Sequence, residues 1–186
     1  MRVIAFIFIF LVSFVLKAQH DHHDMPAEQA RYKIIIFMAV DCPITQKYMA
    51  TIKELAQKYQ SQQISVVGYF PAGLSKKGAK QFRQEYKVPE NIQFINDKQH
   101  IVTNKYNATV TPEVVLVDKS QRVIYQGSID NWFFELGRYR LEITEHYLID
   151  AIEASLKGNQ LSIKKTEAIG CFIQGTTVNK TEHHHH

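Results

Sequence analysis

The chain has 186 residues, of which 45% are hydrophobic and 22% charged, proportions ordinary for one globular domain with appendages. Its formal net charge is +4, and without Arg2 and Lys17, which sit in a leader-like segment, it is +2. No basic stripe with interleaved aromatics remains, which excludes a nucleic-acid-binding reading.

Met1-Arg2 gives a positive start, Val3 to Leu16 is apolar except for Ser13, and Lys17-Ala18-Gln19 follows. This pattern predicts a cleaved export signal over residues 1–18, because a membrane span needs roughly 20 apolar residues. The mature chain is then periplasmic or secreted, with no stable membrane span. Residues 19–31 are polar and aperiodic and read as a His-rich flexible linker. His20, His22 and His23, with Asp21 or Asp24, are of metal-ligating type, but a solvated lead-in explains them more simply, and no metal or other cofactor is expected. His183 to His186 at the far end are set aside.

The body alternates. Ile34 to Val40 is a continuous apolar run, as a strand buried on both faces requires. Pro43 to Tyr59 places Ile44, Tyr48, Ile52, Leu55, Ala56 and Tyr59 at helical spacing, with Pro43 suited to the first turn. A strand follows at Ile64 to Phe70. Ser75 caps a helix reaching Tyr86. A short strand spans Ile92 to Ile95, and a short helix Asp97 to Tyr106. Strands at Val114 to Val117 and Arg122 to Tyr125 flank a turn. Thr144, as cap, opens a last helix to Leu156, closed by Gly158. A long connection carries Trp132, Phe133 and Phe134, which cover the core edge or meet a partner. The order implies an α/β fold with a mixed central sheet and helices on both faces, in a domain over residues 32–158. Residues 159–186 form a tail that carries Cys171.

Cys42 lies where the first strand hands over to a helix. Unpaired backbone N–H groups and the helix dipole there favour a thiolate, the nucleophilic form. Asp41 opposes this if its carboxylate turns inward. About 13 residues link Gly158 to Cys171, enough to span roughly 40 Å when extended, so the tail can reach Cys42. Gly170 lets its backbone pass close to another surface. Two cysteines in an exported chain favour a Cys42–Cys171 pair.

Three segments carry a resemblance: "FMAVDCPITQKY", "FINDKQHIVTNKYNA" and "YNATVTPEVVLVDKSQRVIYQGSID". They resemble the thioredoxin fold in its redoxin, or peroxiredoxin-like, branch, with that branch's strand-helix insertion. The "CPI" site, Tyr125, Gly127, Ile129 and Asp130, the "HYLIDA" helix and the terminal "GC" also resemble a group of exported redoxin-domain proteins. The resemblance implies that Pro112 is a cis-proline facing Cys42, with the backbone of Val110 and Thr111 left free for an extended substrate segment. It further implies that Thr45, in the place of a second motif cysteine, hydrogen-bonds the sulfur. Departures follow from the same positions. Ala39 stands where a peroxidase has its threonine, and Ile35 where it has its proline. Gln46 replaces the second cysteine of a copper chaperone. His146 reads as a surface or packing residue, and Arg138 or Arg140 as a candidate thiolate-stabilising cation.

The leading expectation is an exported thiol-disulfide oxidoreductase. Cys42 is its nucleophile, Cys171 resolves, and Thr45 and Pro112 shape the site. Its partners are protein thiols or disulfides or an extracytoplasmic redox protein. The rivals are a thiol peroxidase using the same cysteines and a non-enzymatic metal-handling or partner-binding module.

Overall fold

The computed structural model describes residues 30–175. The export signal and the candidate ligands His20, His22 and His23 lie outside the described residues.

A five-stranded mixed sheet organises the chain. Its strands are β1 (Tyr32–Phe37), β2 (Ile64–Phe70), β3 (Ile92–Asn96), β5 (Glu113–Asp118) and β6 (Val123–Gly127), in the order β3-β2-β1-β5-β6. β1 runs parallel to β2 and antiparallel to β5. Side chains alternate across the sheet, as strand geometry demands. Ile34 and Ile36 face the main core with α1 (Pro43–Tyr59), α2 (Lys76–Tyr86) and α4 (Tyr147–Lys157). Ile35 and Phe37 face a second core with Tyr106 of α3 (Ile101–Tyr106) and Ala108. Helices therefore cover both faces, and the thioredoxin-like α/β architecture expected from the sequence is the one observed.

Several boundaries differ from the sequence reading. β1 ends at Phe37 rather than Val40, so Met38 to Asp41 form the turn that delivers Cys42 to α1. β6 runs from Val123 to Gly127, not from Arg122 to Tyr125. α3 starts at Ile101 rather than Asp97, because Asp97 acts as a side-chain cap. Its carboxylate accepts from the Val102 amide at 3.2 Å, the Thr103 amide at 2.8 Å and the Thr103 hydroxyl at 2.6 Å. α4 starts at Tyr147, and Thr144 does not cap it. The Thr144 hydroxyl instead accepts from Asn131 Nδ2 at 2.7 Å, and Asn131 Oδ1 accepts from the Thr144 amide at 3.1 Å. The competition is local: an Asn side chain offers the loop its own hydrogen bonds in place of a helical turn.

The connection before α4 contains a hairpin, β7 (Phe133–Glu135) and β8 (Arg138–Tyr139). Trp132 and Phe133 pack on Tyr48 of α1, at 5.3 Å and 5.6 Å between ring centroids. Trp132 and Phe133 therefore cover the core edge, whereas Phe134 is 41% exposed.

Residues 159–175 run back over the domain. The Gln126 amide donates to Lys164 O at 3.1 Å, and the Thr166 amide to Gln126 O at 3.0 Å, a parallel bridge on the free edge of β6. The tail then forms β9 (Cys171–Phe172), antiparallel to the short strand β4 (Val110–Thr111). Among the described residues no helix is long and apolar enough to cross a membrane.

Candidate active site

Cys42 is the N-cap of α1, with Pro43 in the first helical turn. It is only 1% exposed. Its thiol donates to the Thr111 carbonyl at 3.0 Å. Cys171 reaches the same point from the tail, and the two sulfurs lie 2.7 Å apart as unbonded thiols. Elements distant in the sequence build this pair: the β1–α1 turn supplies one sulfur and β9, held on β4, the other.

The surroundings split the two acidities. Burial alone would raise the Cys42 thiol. It is outweighed by hydrogen bonds from the Cys171 thiol, the Thr45 and Cys171 backbone amides and the Thr45 hydroxyl, and the net direction is down. Each of these donors favours the thiolate. The Thr45 hydroxyl is fully buried and completes no hydrogen bond of its own, so an ionised Cys42 is the acceptor it lacks. Cys171 moves the other way. Burial, the Cys42 sulfur beside it and the charges of Cys42 and Asp41 push it up to about 12. Asp41 is solvent-exposed, and its charge bears on Cys171. The two acidities are thus displaced in opposite directions.

The Thr111–Pro112 peptide bond is cis, and Pro112 is buried beside the Thr111 carbonyl that faces Cys42. The expectation that Val110 and Thr111 stand free is corrected: β9 already occupies that edge. The sequence reading missed this strand because two residues are too few for a periodic signal. It also missed Glu113. This buried carboxylate accepts from the Thr109 amide at 3.0 Å and from Gln126 Nε2 at 2.7 Å, which braces the segment leading into Thr111. A single acidic residue at the start of an apolar strand was the only hint.

Arg138 and Arg140 are engaged elsewhere. Arg138 pairs with Glu135 at 2.8 Å, Arg140 donates to Asn131 O at 2.8 Å, and both stack on Phe134. His146 caps α4 in position only, without a side-chain hydrogen bond to the helix. Among the described residues no three His, Cys, Asp or Glu side chains gather as a metal cluster. A cleft of about 400 Å³ opens beside the two sulfurs, lined also by Ala39, Asp41, Pro71, Ala72, Thr111 and Phe172.

The thioredoxin-like family model matches residues 30–123, half of the chain, a region that contains Cys42, Thr45 and Pro112 but not Cys171. No curated protein matches the sequence. Among solved structures, an uncharacterized conserved protein from Geobacillus kaustophilus is similar at a TM-score of 0.69 and 21% identity, over 82% of this chain and 81% of its own. A hypothetical protein from Sinorhizobium meliloti 1021 is similar at 0.66 and 22% identity, over 82% of this chain and 84% of its own. At these identities the likeness shows a shared fold.

Proposed function

We propose that this chain, which belongs to the thioredoxin-like family, is an exported thiol-disulfide oxidoreductase in which Cys42 attacks and Cys171 resolves. The observation that carries the reading is the pair of thiols 2.7 Å apart with acidities displaced in opposite directions. The leader-like residues 1–18 support export, and an oxidising compartment suits a two-cysteine chain.

The Cys42 thiolate attacks one sulfur of a substrate disulfide. A Cys42–substrate bond forms, the substrate S–S bond breaks, and the substrate's other sulfur leaves as a thiolate that takes up a proton. Cys171 then loses its proton and attacks the Cys42 sulfur. The mixed disulfide breaks, a Cys42–Cys171 disulfide forms, and the second substrate thiol departs. Two electrons have passed to the substrate, and a dithiol reductant restores the protein. Read in reverse, the same steps oxidise a substrate dithiol. Thr45 steadies the thiolate, and Pro112 shapes the wall of the groove. Ala39 supplies no hydroxyl to orient a peroxide oxygen, so the peroxidase rival ranks below this reading; the metal-handling rival would add His20, His22 and His23 to the two sulfurs, and these lie outside the described residues.

The test is transfer to a disulfide-linked peptide, followed by mass. Cys42→Ser is expected to form no adduct. Cys171→Ser is expected to accumulate the Cys42–peptide adduct, and the unaltered protein to show it only in passing and to end as an intramolecular disulfide. An adduct that persists equally with and without Cys171 would remove Cys171 as the resolving thiol.

A further inference from the structure

The tail crosses the site as a strap fastened along its length. Upstream, Thr166 is held by β6. Its hydroxyl lies 2.6 Å from Tyr125 Oη and accepts from the Ser128 amide at 3.0 Å, and Ser128 Oγ donates to Glu167 O at 2.7 Å. Over the site, Cys171 and Phe172 pair with Thr111 and Val110, and the Ile173 amide donates to Thr109 O at 2.9 Å. Ile173 packs against the second core. Downstream, His100 Nδ1 lies 3.3 Å from Gly175 O. The approach is as close as a backbone allows: a Cβ on Gly170 would sit 2.2 Å from Thr111 O. Only glycine fits there. Phe172, by contrast, points outward and is 78% exposed.

Two facts then conflict. Cys42 is 1% exposed under this strap, yet it must meet a substrate sulfur. The edge that an extended protein segment can pair with beside Cys42, Val110–Thr111, is already paired. We infer that β9 is a tethered stand-in for the substrate segment. The tail and an extended, cysteine-bearing segment of the partner protein occupy the β4 edge in turn. This rests on the oxidoreductase reading above. The strap lifts to admit the partner strand, which pairs with β4 by main-chain hydrogen bonds as strand addition does. Its return brings Cys171 to the Cys42 sulfur and takes back the same hydrogen bonds. Resolution of the mixed disulfide and eviction of the product are one movement. The strap itself shows what the edge accepts: a segment with glycine before its cysteine and an aliphatic side chain two residues after it, as in Gly170-Cys171-Phe172-Ile173.

The test uses the full chain, reduced, in three forms: unaltered, Gly170→Ala and Ile173→Ser. Both variants keep both cysteines, and Ile173→Ser leaves the glycine contact untouched should Gly170→Ala disturb folding. Iodoacetamide labelling at Cys42 is followed by peptide mapping, with rates taken at the high-pH plateau so that altered ionisation is not counted. If labelling proceeds through strap opening, both variants label Cys42 faster, by about tenfold or more. Equal rates in all three forms overturn the strap. A second arm adds a disulfide-linked synthetic peptide matching residues 167–175. The unaltered protein is expected to clear its Cys42–peptide adduct, and Gly170→Ala to hold it at least about tenfold longer, because its tail returns poorly. Adducts that clear equally fast overturn the alternation. If no peptide is transferred to either protein while the labelling difference holds, the oxidoreductase reading and the alternation fall, and the tail stands as a cover alone.

Discussion

Cys42 owes its acidity to neighbours from two places: the thiol and amide of Cys171 from the far end of the chain, and Thr45 one turn along its own helix. Thr45 gives a clean test, because its buried hydroxyl completes no hydrogen bond while Cys42 is a thiol. Thr45→Val keeps the shape and removes that donor. The sign follows from which state the donor favours. A hydroxyl that helps only the thiolate lowers the pKa, so its loss raises it. Alkylation of Cys42 at pH 7 is expected to fall by between about twofold and tenfold, with the high-pH plateau unchanged. Stability should hold or rise by up to about 1 kcal/mol, since an unpaired buried polar group is removed with no partner left behind. Unchanged alkylation at pH 7 would show that Thr45 does not act on the sulfur.

Short elements and their caps set the geometry around the site. α3 has only one and a half turns, and its start is fixed by Asp97, whose carboxylate accepts two amides and a hydroxyl. Just before this helix, His100 adopts a left-handed conformation with φ of 55° and meets Pro71 O at 3.1 Å, at the rim of the cleft. Asp97→Ala leaves buried donors unpaired and is expected to cost about 2–3 kcal/mol in urea unfolding, more than an exposed cap would. Asp97→Asn, which keeps an acceptor, should cost less. Equal losses would point to packing and not to the cap. The sequence showed Asp97 but not its role, because a residue four positions before a helix reads the same whether its side chain caps the helix or its backbone belongs to it.

At the scale of the whole molecule, α1 is tied to the loop after β6 by the Tyr48 hydroxyl, which donates to the buried Asp130, and Asp130 also accepts from the Trp132 amide at 2.8 Å. Burial raises the Asp130 carboxyl, against the pull of those two hydrogen bonds and of His146. A raised folded pKa means that the native state binds the proton more tightly than the unfolded chain. This group's contribution to stability is therefore full below the unfolded carboxyl value and is lost as pH rises through the folded one. Asp130→Asn keeps an acceptor for both donors and does not titrate. Its stability relative to the unaltered protein is expected to rise as pH increases from about 4, the ordinary carboxyl value, up through the raised folded value. A difference that stays flat over that range would remove Asp130 as a titrating brake on the fold.

What the sequence determined by itself is what local pattern encodes. The isoleucine run of β1, the 3.6-residue spacing of α1, the Ser75 cap and the Cys42-Pro43 junction are each set by neighbours within a few positions, and all were legible. The cis bond at Pro112 was legible through resemblance. Only the tertiary structure decided where the tail goes. The length of residues 159–170 showed that Cys171 could reach Cys42. It did not show that residues 171–172 would take the β4 edge itself, closing the groove the sequence left open for a partner. That outcome depends on hydrogen-bonding groups of Val110 and Thr111, on a glycine matched to one carbonyl, and on Thr166 fitting against Gly127, a glycine whose Cβ would sit 2.3 Å from the Thr166 hydroxyl. Pairings between positions so far apart leave no periodicity in the chain, because a strand edge selects its partner by shape and free hydrogen bonds and not by sequence distance.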